Sequence, residues 1–421
     1  MGAHKPASFK GGKVVTDIAI VGGGLAGSLT AAMLGNAGVD AVIVDPHPVY
    51  PPDFRCEKLD GAQVDILRKT GLAEGVLRAA TPDRESWVAR FGRLVDKRPG
   101  DQHGIFYAPL VNTIRGLIPQ SVPMIAAKAT AIATGDGRQT VKLSNGEEIS
   151  ARLVVLANGL NIGLRNSLGL ARELLSECHS ISIGFDVKPI GRLVFDFPAL
   201  TYYAEHTEDR TALLTLFPIG ATMRANLFVY RDLHDPWLQA LRARPEETLH
   251  TLMPDLHKIT GDFEVDGFVK IRPVDLVATH GHRQAGLVLV GDAFSTSCPA
   301  AGTGARKAIN DAERLCNVHI PRWLATPGMG ADKIAAFYDD PVKQACDDYS
   351  LAKAFDLRSF SLDSGLQWRA KRRLKYIAQY GVGTLRRLRQ NAASAPSGEQ
   401  GIPAATGAAD LAAAPGRQRY I

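Results

Sequence analysis

The spacing of apolar residues near the start of the chain predicts a strand, a helix and a second strand. Residues 18–21 are all apolar, which is typical of a strand buried on both faces. Residues 28–37 have a helical composition, and Gly38 stands where a helix commonly ends. A second apolar run at 41–44 ends in Asp45. This order predicts a βαβ unit with parallel strands.

The next part of the chain predicts two helices and then a meander of short strands. Residues 55–72 show helical spacing of apolar side chains, and Pro109 is well placed in the first turn of a helix that ends at Leu117. Glycine-rich turns at 135–137 and 145–146 are typical of hairpins. They separate three strand-like runs, residues 124–133, 139–143 and 149–156.

A long middle section is rich in β-branched and aromatic residues, a composition that favours strands. A helical stretch at 245–253 interrupts it, and a buried strand is predicted after it at 286–290. The pattern indicates an antiparallel sheet domain inserted into a nucleotide-binding domain. The strand-like runs are residues 181–187, 193–197, 201–205, 212–217 and 225–230.

The C-terminal part is predicted to be helical and then disordered. Helices are expected over 332–390, whereas the residues from 391 are rich in Ala, Pro and Gly and cannot bury enough apolar surface to fold. The predicted boundaries are 14–175 and 276–345 for the nucleotide-binding domain, 176–275 for the inserted domain, 346–390 for a helical segment and 391–421 for the tail.

Three glycines at the first strand–helix turn predict a dinucleotide site. Gly22, Gly24 and Gly27 form G-x-G-x-x-G, with Leu25 and Ala26 before the last glycine. In such a turn the first glycine makes the tight bend, the second allows a pyrophosphate to approach, and the third lets helix and strand pack closely. The free amides at the helix start then face the phosphates.

Asp45 fits the same site, because an acidic side chain at the end of the second strand can accept a hydrogen bond from a ribose hydroxyl. The alternative, that Asp45 only starts a turn with Pro46, explains this residue but not the whole unit. We therefore favour dinucleotide binding.

A second glycine-rich turn lies far along the chain. The strand at 286–290 ends in Gly291-Asp292-Ala293, and a loop containing Pro299 and Gly302-Thr303-Gly304 leads into a helix. A carboxylate at a strand end followed by such a loop makes a second anion-binding platform. Two platforms favour a long ligand lying extended between them.

With these motifs the chain resembles the FAD-dependent aromatic hydroxylases, the single-component flavoprotein monooxygenases of the p-hydroxybenzoate hydroxylase fold. The resemblance covers roughly residues 14–350 and rests on the order and spacing of three motifs, at 22–27, 157–159 and 291–304. It implies an α/β fold, with a Rossmann-type FAD-binding domain, an inserted antiparallel β-sheet substrate domain and C-terminal helices.

The resemblance also implies which residues bind FAD. Asp45 would hold the adenosine ribose and Asp292 the ribityl chain, and the amides of Gly302–Gly304 would lie against the pyrimidine end of the isoalloxazine ring. Arg55 resembles the family's flavin-contacting arginine, although a solvated arginine at a helix start stays open as an alternative. The remaining expected cofactor-binding residues are Gly22, Gly24, Leu25, Ala26, Gly27, Asn158, Gly159, Pro299 and Thr303.

Several positions depart from the family pattern and identify the chain as a divergent member. The middle motif usually reads D-G-x-x-S-x-x-R, and here Asn158 replaces the aspartate and Ile162 the serine, while Gly159 and Arg165 remain. Ser295 stands where a histidine is common, and Tyr107 where an arginine is usual. In the family the middle turn touches both the FAD pyrophosphate and NADPH, so these changes keep a flavoenzyme of other chemistry open: a halogenase, a reductase or a cyclase.

The implied activity is hydroxylation of an aromatic or polyketide-like substrate through a C4a-hydroperoxyflavin, with FAD as cofactor and NADPH or NADH and O2 as co-substrates. No catalytic side chain is assigned, and no metal is expected because the histidines show no ligand spacing. The substrate would lie between the flavin and the inserted sheet. Candidates that would line this site are Tyr203 (or its neighbour Tyr202, which faces the other way), Phe217 and Pro218.

Composition excludes several other classes of protein. Of the 421 residues, 45% are hydrophobic and 22% charged, which is the profile of a globular protein. No apolar run is long enough to cross a bilayer, and no secretory signal precedes the first strand. The five cysteines are scattered without C-x-x-C pairs, which favours reduced thiols and a cytoplasmic location.

The net charge of +6 comes from one segment, residues 366–389, which carries eight basic and no acidic residues. Without it acidic residues outnumber basic ones, so no nucleic-acid partner is expected. Leu366, Ala370, Leu374 and Ile377 form a helical stripe in this segment. The favoured interpretation is a helix that packs its apolar face on the flavin domain, and the alternative is peripheral attachment to an anionic membrane.

Overall fold

The computed structural model describes residues 13–393, and all structural statements below concern this part of the chain. Its first elements alternate between strands and helices. In chain order they are β1 (Lys13–Val21), α1 (Leu25–Asn36), β2 (Ala41–Asp45), β3 (Cys56–Leu59), α2 (Gly61–Lys69), α3 (Ala73–Ala79), β4 (Thr81–Pro82), β5 (Glu85–Arg90), β6 (Arg93–Pro99), β7 (His103–Phe106), α4 (Tyr107–Gly116), β8 (Met124–Ala126), β9 (Ala129–Ala133), β10 (Gln139–Leu143), β11 (Glu148–Leu156) and α5 (Gly163–Ser167).

Long antiparallel strands follow, and the chain then ends in helices. The middle elements are β12 (Ala171–Pro189), β13 (Ala199–Tyr203), β14 (Thr211–Ile219), β15 (Thr222–Val229), α6 (Pro236–Ala243), α7 (Pro245–Leu252), α8 (His257–Thr260) and β16 (Phe263–His280). The last are β17 (Leu287–Leu289), α9 (Gly304–Arg314), α10 (Ile320–Leu324), α11 (Ala331–Tyr338), α12 (Pro341–Leu362) and α13 (Leu366–Ala393).

The first sheet has the order β8-β2-β1-β11-β10-β9, and β17 pairs with the end of β11. Strands β8, β2, β1, β11 and β17 are mutually parallel, whereas β9 and β10 form an antiparallel meander with β11. The carboxyl ends of β1, β2, β11 and β17 therefore meet at one edge, where open α/β sheets bind their ligands. This confirms the predicted α/β fold with a Rossmann-type domain.

The second sheet is larger than the pattern predicted. Its order is β16-β12-β15-β14-β13-β5-β6, so the hairpin of β5 and β6 joins it from within the first part of the chain. β12 and β16 also cross the expected boundaries at 175 and 275. Residues 193–197, expected to be a strand, lie in a loop. We propose that the substrate domain comprises this whole sheet, including residues 85–99.

The helix expected over 55–72 is instead a short strand followed by a shorter helix. Residues 56–59 pair with β7 as β3. Asp60 then begins α2 with a capping box, in which its side chain accepts from the Gln63 amide and the Gln63 side chain accepts from the Asp60 amide. This cap stops the helical pattern from extending back to Arg55, so Arg55 lies in the extended segment before β3.

The two sheets face each other across a cleft. One face of the second sheet packs on α6, α7 and α8 through its own apolar core. Its other face meets the first domain, where Cys56 Sγ lies 3.3 Å from Asn226 Nδ2 and Lys58 Nζ lies 5.6 Å from the Phe217 ring centroid. The carboxyl edge of the first sheet therefore lies opposite the second sheet.

The prediction that the basic segment packs its apolar face on the flavin domain is wrong. Helix α13 lies along β6 of the second sheet, where Arg386 Nη1 donates to both carboxylate oxygens of Asp96 at 2.8 Å. Its apolar side chains point away from the protein, and Leu374 and Ile377 are 67% and 65% exposed. The helix reaches Ala393, and the rest of the expected tail, residues 394–421, lies outside the described residues. Within the described part, no helix meets the length and hydropathy needed to cross a membrane.

Candidate active site

The glycines of the first motif hold the turn between β1 and α1 against the end of β11. A Cβ at Gly22 would lie 2.5 Å from the Ala157 carbonyl oxygen, and the φ angle of Gly22 is +108°. A Cβ at Gly27 would lie 1.9 Å from the Gly22 carbonyl oxygen. At Gly24, by contrast, the nearest atom to such a Cβ is the Tyr107 hydroxyl oxygen at 4.0 Å. The turn is closed on its protein side and open at Gly24, where a phosphate would approach.

The first amides of α1 face this open side. The helix begins at Leu25, earlier than the sequence indicated, and Gly24 at its N-cap provides no capping side chain. The first N–H groups of a helix have no partner within the helix, so they can bind an anion. Gly291 of the second motif lies beside the same helix end, since a Cβ there would be 3.2 Å from Ala26 Cβ.

Asp45 is fixed at the end of β2 by two backbone amides and an arginine. Its Oδ2 accepts from the Gly23 amide at 2.7 Å, and its Oδ1 accepts from the His47 amide at 2.9 Å. Arg115, buried in α4, lies 3.3 Å from Oδ1 and donates from Nε to the Gly23 carbonyl oxygen at 2.9 Å. The carboxylate is thus held in one position beside the glycine turn. Arg115 was not predicted from the sequence, because nothing in its spacing distinguishes it from a surface arginine.

Arg55 lies inside the site rather than in solvent. Its Nε donates to Asp53 Oδ2 at 2.7 Å and its Nη2 to the Tyr50 hydroxyl at 3.0 Å. The guanidinium carbon is 4.0 Å from the centroid of the Tyr107 ring. Tyr107, which replaces the usual arginine, therefore stacks on Arg55 and places its hydroxyl beside Gly24.

Asp292 follows β17 in a short 3-10 turn and has a strongly cationic surrounding. Burial raises the pKa of its carboxyl above the usual value, and it outweighs Arg55, Lys307, Arg272 and Arg165, which all act to lower the pKa. The side chain is surrounded by protein yet keeps part of its surface accessible, as expected for a group that borders a cleft. A carboxylate in this position can accept hydrogen bonds from ligand hydroxyls.

A buried ion network behind Asp292 holds the second motif in place. Asp311 Oδ2 accepts from the Gly291 amide at 2.8 Å, and its Oδ1 binds Lys343 Nζ at 2.8 Å. Asp347 then bridges Lys343 Nζ at 3.1 Å and Lys307 Nζ at 2.7 Å. Lys307 also donates to Ser295, which stands where the family commonly has histidine. This network was not predicted from the sequence, because its members lie on two separate helices, α9 and α12.

The middle motif lies beside the first and carries two unpaired polar atoms. Arg165 Nε donates to the Asn161 carbonyl oxygen at 3.0 Å, and its Nη1 lies 3.4 Å from the Ala293 carbonyl oxygen. Asn158 Oδ1 and Arg165 Nη2 are buried and have no hydrogen-bond partner among the described residues. Such groups are costly unless something binds them. Gly159 takes a φ of +58° in the same turn.

The loop before α9 turns at Gly302, which has a φ of +65°. Gln63 Nε2 lies 3.3 Å from the Gly302 carbonyl oxygen, and the Thr303 hydroxyl is 2.7 Å from that of Ser350. The Thr303 side chain is thus turned to α12, so only its backbone can serve a ligand. Gly304 begins α9, and Pro299 begins a half-exposed 3-10 turn before the loop.

The three residues expected to line the substrate site do not lie together. Phe217 is buried at the contact between the two domains, and Pro218 is half-buried beside it. Tyr203 lies on the same face of the sheet but toward α13, with Lys375 Nζ 5.7 Å from its ring centroid. Tyr202 is in the core and its hydroxyl accepts from the Gly92 amide at 2.9 Å.

The arrangement fits FAD at both ends. The open turn at Gly24 and the free amides of α1 suit a pyrophosphate. The unpaired Asn158 atom lies in the adjoining turn and the unpaired Arg165 atom in α5, which follows it. The cations around Asp292 balance the negative charge that such a ligand brings. Among the described residues, no group of three or more His, Cys, Asp or Glu side chains could hold a metal ion.

Comparison with known proteins agrees with this geometry. The family model described as an FAD binding domain matches residues 15–98 and 126–318. The chain is 25% identical over 318 residues to the 3-amino-4-hydroxybenzoate 2-monooxygenase of Streptomyces platensis, covering 72% of this chain and 78% of that one. It is 24% identical over 399 residues to the 3-demethoxyubiquinol 3-hydroxylase of Escherichia coli strain K12, covering 88% and 96%.

Solved structures agree on the fold. The crystal structure of p-nitrophenol 4-monooxygenase from Pseudomonas putida DLL-E4 superposes with a TM-score of 0.69 at 18% identity, covering 88% of this chain and 94% of that chain. The family match spans well over half of the sequence and includes all three motifs. The chain therefore belongs to the FAD-binding-domain family of flavoprotein monooxygenases as a divergent member, and it is a flavin-dependent oxidoreductase whose cofactor is FAD.

Proposed function

We propose that the protein hydroxylates an aromatic or polyketide-like ring, using O2 and NADPH or NADH. The observation that carries this proposal is the convergence of three distant motifs at one edge of the first sheet, facing the second sheet. The relatives named above are a 3-amino-4-hydroxybenzoate 2-monooxygenase and a 3-demethoxyubiquinol 3-hydroxylase, which supports hydroxylation of a ring. FAD supplies the oxidative chemistry when it is bound.

The residues of this chain bind and orient the cofactor. We propose that Gly22, Gly24 and Gly27, with the amides of Leu25 and Ala26, bind the pyrophosphate. Asp45 would bind the adenosine ribose and Asp292 the ribityl hydroxyls. The other proposed cofactor contacts are Arg55, Asn158, Gly159, Pro299, Gly302, Thr303 and Gly304.

The second sheet covers the cleft from the other side, so that bound cofactor and substrate would be shielded from water, which a reactive oxygen species requires. The polar pair Cys56–Asn226 and the buried Phe217 lie at this contact. We propose that the substrate enters between this face and the flavin, with Phe217 and Pro218 at one side and Tyr203 near the α13 end.

Stopped-flow spectroscopy tests the proposed reaction. FAD-loaded protein is mixed anaerobically with NADH or NADPH in the presence of candidate phenols, and the reduced protein is then mixed with O2. The expected result is reduction of the flavin that is accelerated by substrate, followed by a hydroxylated product. If neither nucleotide reduces the bound flavin, the proposal fails and a different flavin chemistry on this scaffold is indicated.

We also propose that α13 attaches the protein to the surface of an anionic membrane. Arg372, Tyr376 and Arg386 lie on the side of the helix that faces α12 and the hairpin of β5 and β6. Because successive residues of an α-helix are rotated by about 100°, the apolar side chains lie on the opposite side of α13. Those that are exposed include Leu366, Leu374, Ile377, Leu385 and Leu388.

Basic residues flank this apolar stripe on both sides. By the same helical geometry, Arg369 and Arg373 lie on one flank and Lys371 and Lys375 on the other. An exposed apolar stripe between two basic flanks is the arrangement of a helix that lies in the membrane interface. Its placement beside the substrate sheet suits a substrate that partitions into lipid.

Co-sedimentation with phosphatidylcholine vesicles, with and without phosphatidylglycerol, tests the membrane proposal at low and high salt. Wild-type protein is expected to sediment with the anionic vesicles, and more weakly at high salt because the charges are screened. The Leu374→Glu/Ile377→Glu variant should stay in solution. Leu193→Glu/Val194→Glu, which places the same charges on an exposed loop, should bind like wild type. Equal sedimentation of the two variants would overturn the proposal.

A further inference from the structure

Glu57 is an acidic side chain inside the cofactor cleft, and the proposed function assigns it no role. It lies in the middle of β3, whose residues point alternately to opposite sides. Cys56 and Lys58 contact the second sheet through Asn226 and Phe217. Glu57 therefore points the other way, as does Leu59, which belongs to the core of the flavin domain. This places the Glu57 carboxyl on the flavin side of the cleft.

The groups around Glu57 belong to the cofactor site. The charges of Arg55 and Asp53, in the segment before β3, influence the pKa of Glu57. The charge of Asp292, in the turn after β17, does so as well. Tyr107 of α4 and the Cys56 thiol are also within electrostatic reach of Glu57. Among the described residues no hydrogen bond or ion pair to its side chain is found, and Arg55 is already paired with Asp53. Glu57 is thus a carboxyl without a hydrogen-bonding partner among the described residues, and a second carboxyl, Asp292, lies within electrostatic reach.

These surroundings favour the protonated form. Burial raises the pKa of Glu57 to about 7, with Asp292 and Asp53 adding to the increase and Arg55 opposing it. Part of the side chain is still accessible to water, because it borders the cleft. A ligand that fills the cleft would remove this water, and the FAD pyrophosphate would bring negative charge. Both effects disfavour a carboxylate further.

We propose that Glu57 carries a proton once FAD fills the cleft, so that FAD binding takes up a proton near neutral pH and leaves a neutral acid beside the flavin. The direction of the pH dependence follows from the coupling between proton binding and FAD binding. If the bound state holds the proton more tightly than the free state, FAD affinity is constant at low pH and falls as pH rises through the range between the two pKa values. The fall cannot exceed about tenfold per pH unit for one proton. The inference rests on the proposed FAD site but not on the hydroxylation reaction.

The test is the FAD dissociation constant measured by flavin fluorescence between pH 6 and 9. Wild-type affinity is expected to weaken several-fold across this range. Glu57→Gln, which is neutral at every pH, should show a flat profile and bind at least as tightly as wild type at the alkaline end. Glu264→Gln, on an exposed part of β16, removes the same charge and should keep the wild-type slope. The part of the wild-type slope that is lost in Glu57→Gln and kept in Glu264→Gln is assigned to Glu57.

A second measurement needs no variant. Calorimetric titration of wild-type protein with FAD at neutral pH, in buffers of different ionisation enthalpy, counts the protons exchanged, and net uptake is expected. Tight FAD binding without proton uptake, or a Glu57→Gln variant with the wild-type slope, would overturn the inference while leaving the proposed function intact. Failure of the wild-type protein to bind FAD at all would overturn both.

Discussion

Two of the residues that depart from the family pattern contact a cationic side chain on another element of the fold. Lys307 donates to Ser295, which replaces a histidine, and the Tyr107 ring that replaces an arginine lies 4.0 Å from the Arg55 guanidinium. The sequence marked both positions as unusual, and it predicted Arg55 through its resemblance to the family. It could not predict their partners, because such contacts depend on how the strands and helices pack and leave no spacing signal.

The buried ion network around Lys343 predicts that replacing this lysine destabilises the fold. Lys343→Met leaves Asp311 without its cation in a fully buried position, and Asp347 with only Lys307. Breaking a buried ion pair by removing one partner costs about 3–5 kcal/mol. Chemical denaturation should show a loss of this size in the free energy of unfolding. Lys353→Met, on the exposed face of the same helix, should change it by about 0.5 kcal/mol or less. Similar losses in the two variants would contradict the assigned role.

Among the secondary-structure elements, those of the first βαβ unit were predicted from local pattern alone. Their strands are buried on both faces, and the glycines at 22, 24 and 27 fix the turn between them. The hairpin of β5 and β6 was missed because its strands carry many charged residues and pair with a sheet formed by distant parts of the chain. The helix expected over 55–72 was shortened by the Asp60 cap, a signal present in the sequence but not used.

A side chain at Gly27 is predicted to destabilise the first strand–helix unit and to weaken FAD binding. In Gly27→Ala the new Cβ would overlap the Gly22 carbonyl oxygen, so α1 must move away from β1. Overpacking of this kind costs about 1–3 kcal/mol or more, and the displaced helix should also bind FAD poorly. Thermal unfolding and FAD titration measure the two effects. Gly116→Ala at the end of α4, where the added atom meets nothing within 4 Å, is the control and should leave both unchanged.

Over the whole molecule, the order of the motifs predicted the cofactor site better than any single residue did. Parallel strands place their carboxyl ends at one edge, so turns far apart in sequence come together. The position of α13 could not be predicted in this way. An amphipathic pattern shows which side chains share a face, but only packing decides which face is covered. Here the polar face is covered and the apolar face is exposed.

Acid stability of the folded molecule depends on Asp340, which joins the end of α9 to the start of α12. Burial acts to raise the pKa of its carboxyl, but hydrogen bonds from Arg314, the Lys343 amide and His319 outweigh it and lower the pKa to about 2. The carboxyl of an aspartate in the unfolded chain has a pKa of about 4. The stability that Asp340 contributes is thus present above about pH 4 and lost as pH falls towards 2. The melting temperature should fall in this window, and less steeply in Asp340→Asn than in the exposed control Asp65→Asn. Identical acid profiles would contradict this account.

Two turns that are about 270 residues apart in the sequence but adjacent in the fold are proposed to bind one FAD molecule. Equilibrium titration of cofactor-free protein with FAD tests it most directly, using wild type, Gly24→Val in the first turn, Asp292→Ala in the second, and Asp339→Ala as a control at an exposed ion pair with Arg283. The account predicts one FAD per chain for wild type and control. Affinity losses of about tenfold or more are expected for the other two variants. Asp292→Ala removes hydrogen bonds from a charged group, each contributing about 1.5–3 kcal/mol, and Gly24→Val fills the open side of the first turn, where the pyrophosphate would lie. Absence of FAD binding by folded wild-type protein, or full affinity in both variants, would contradict it.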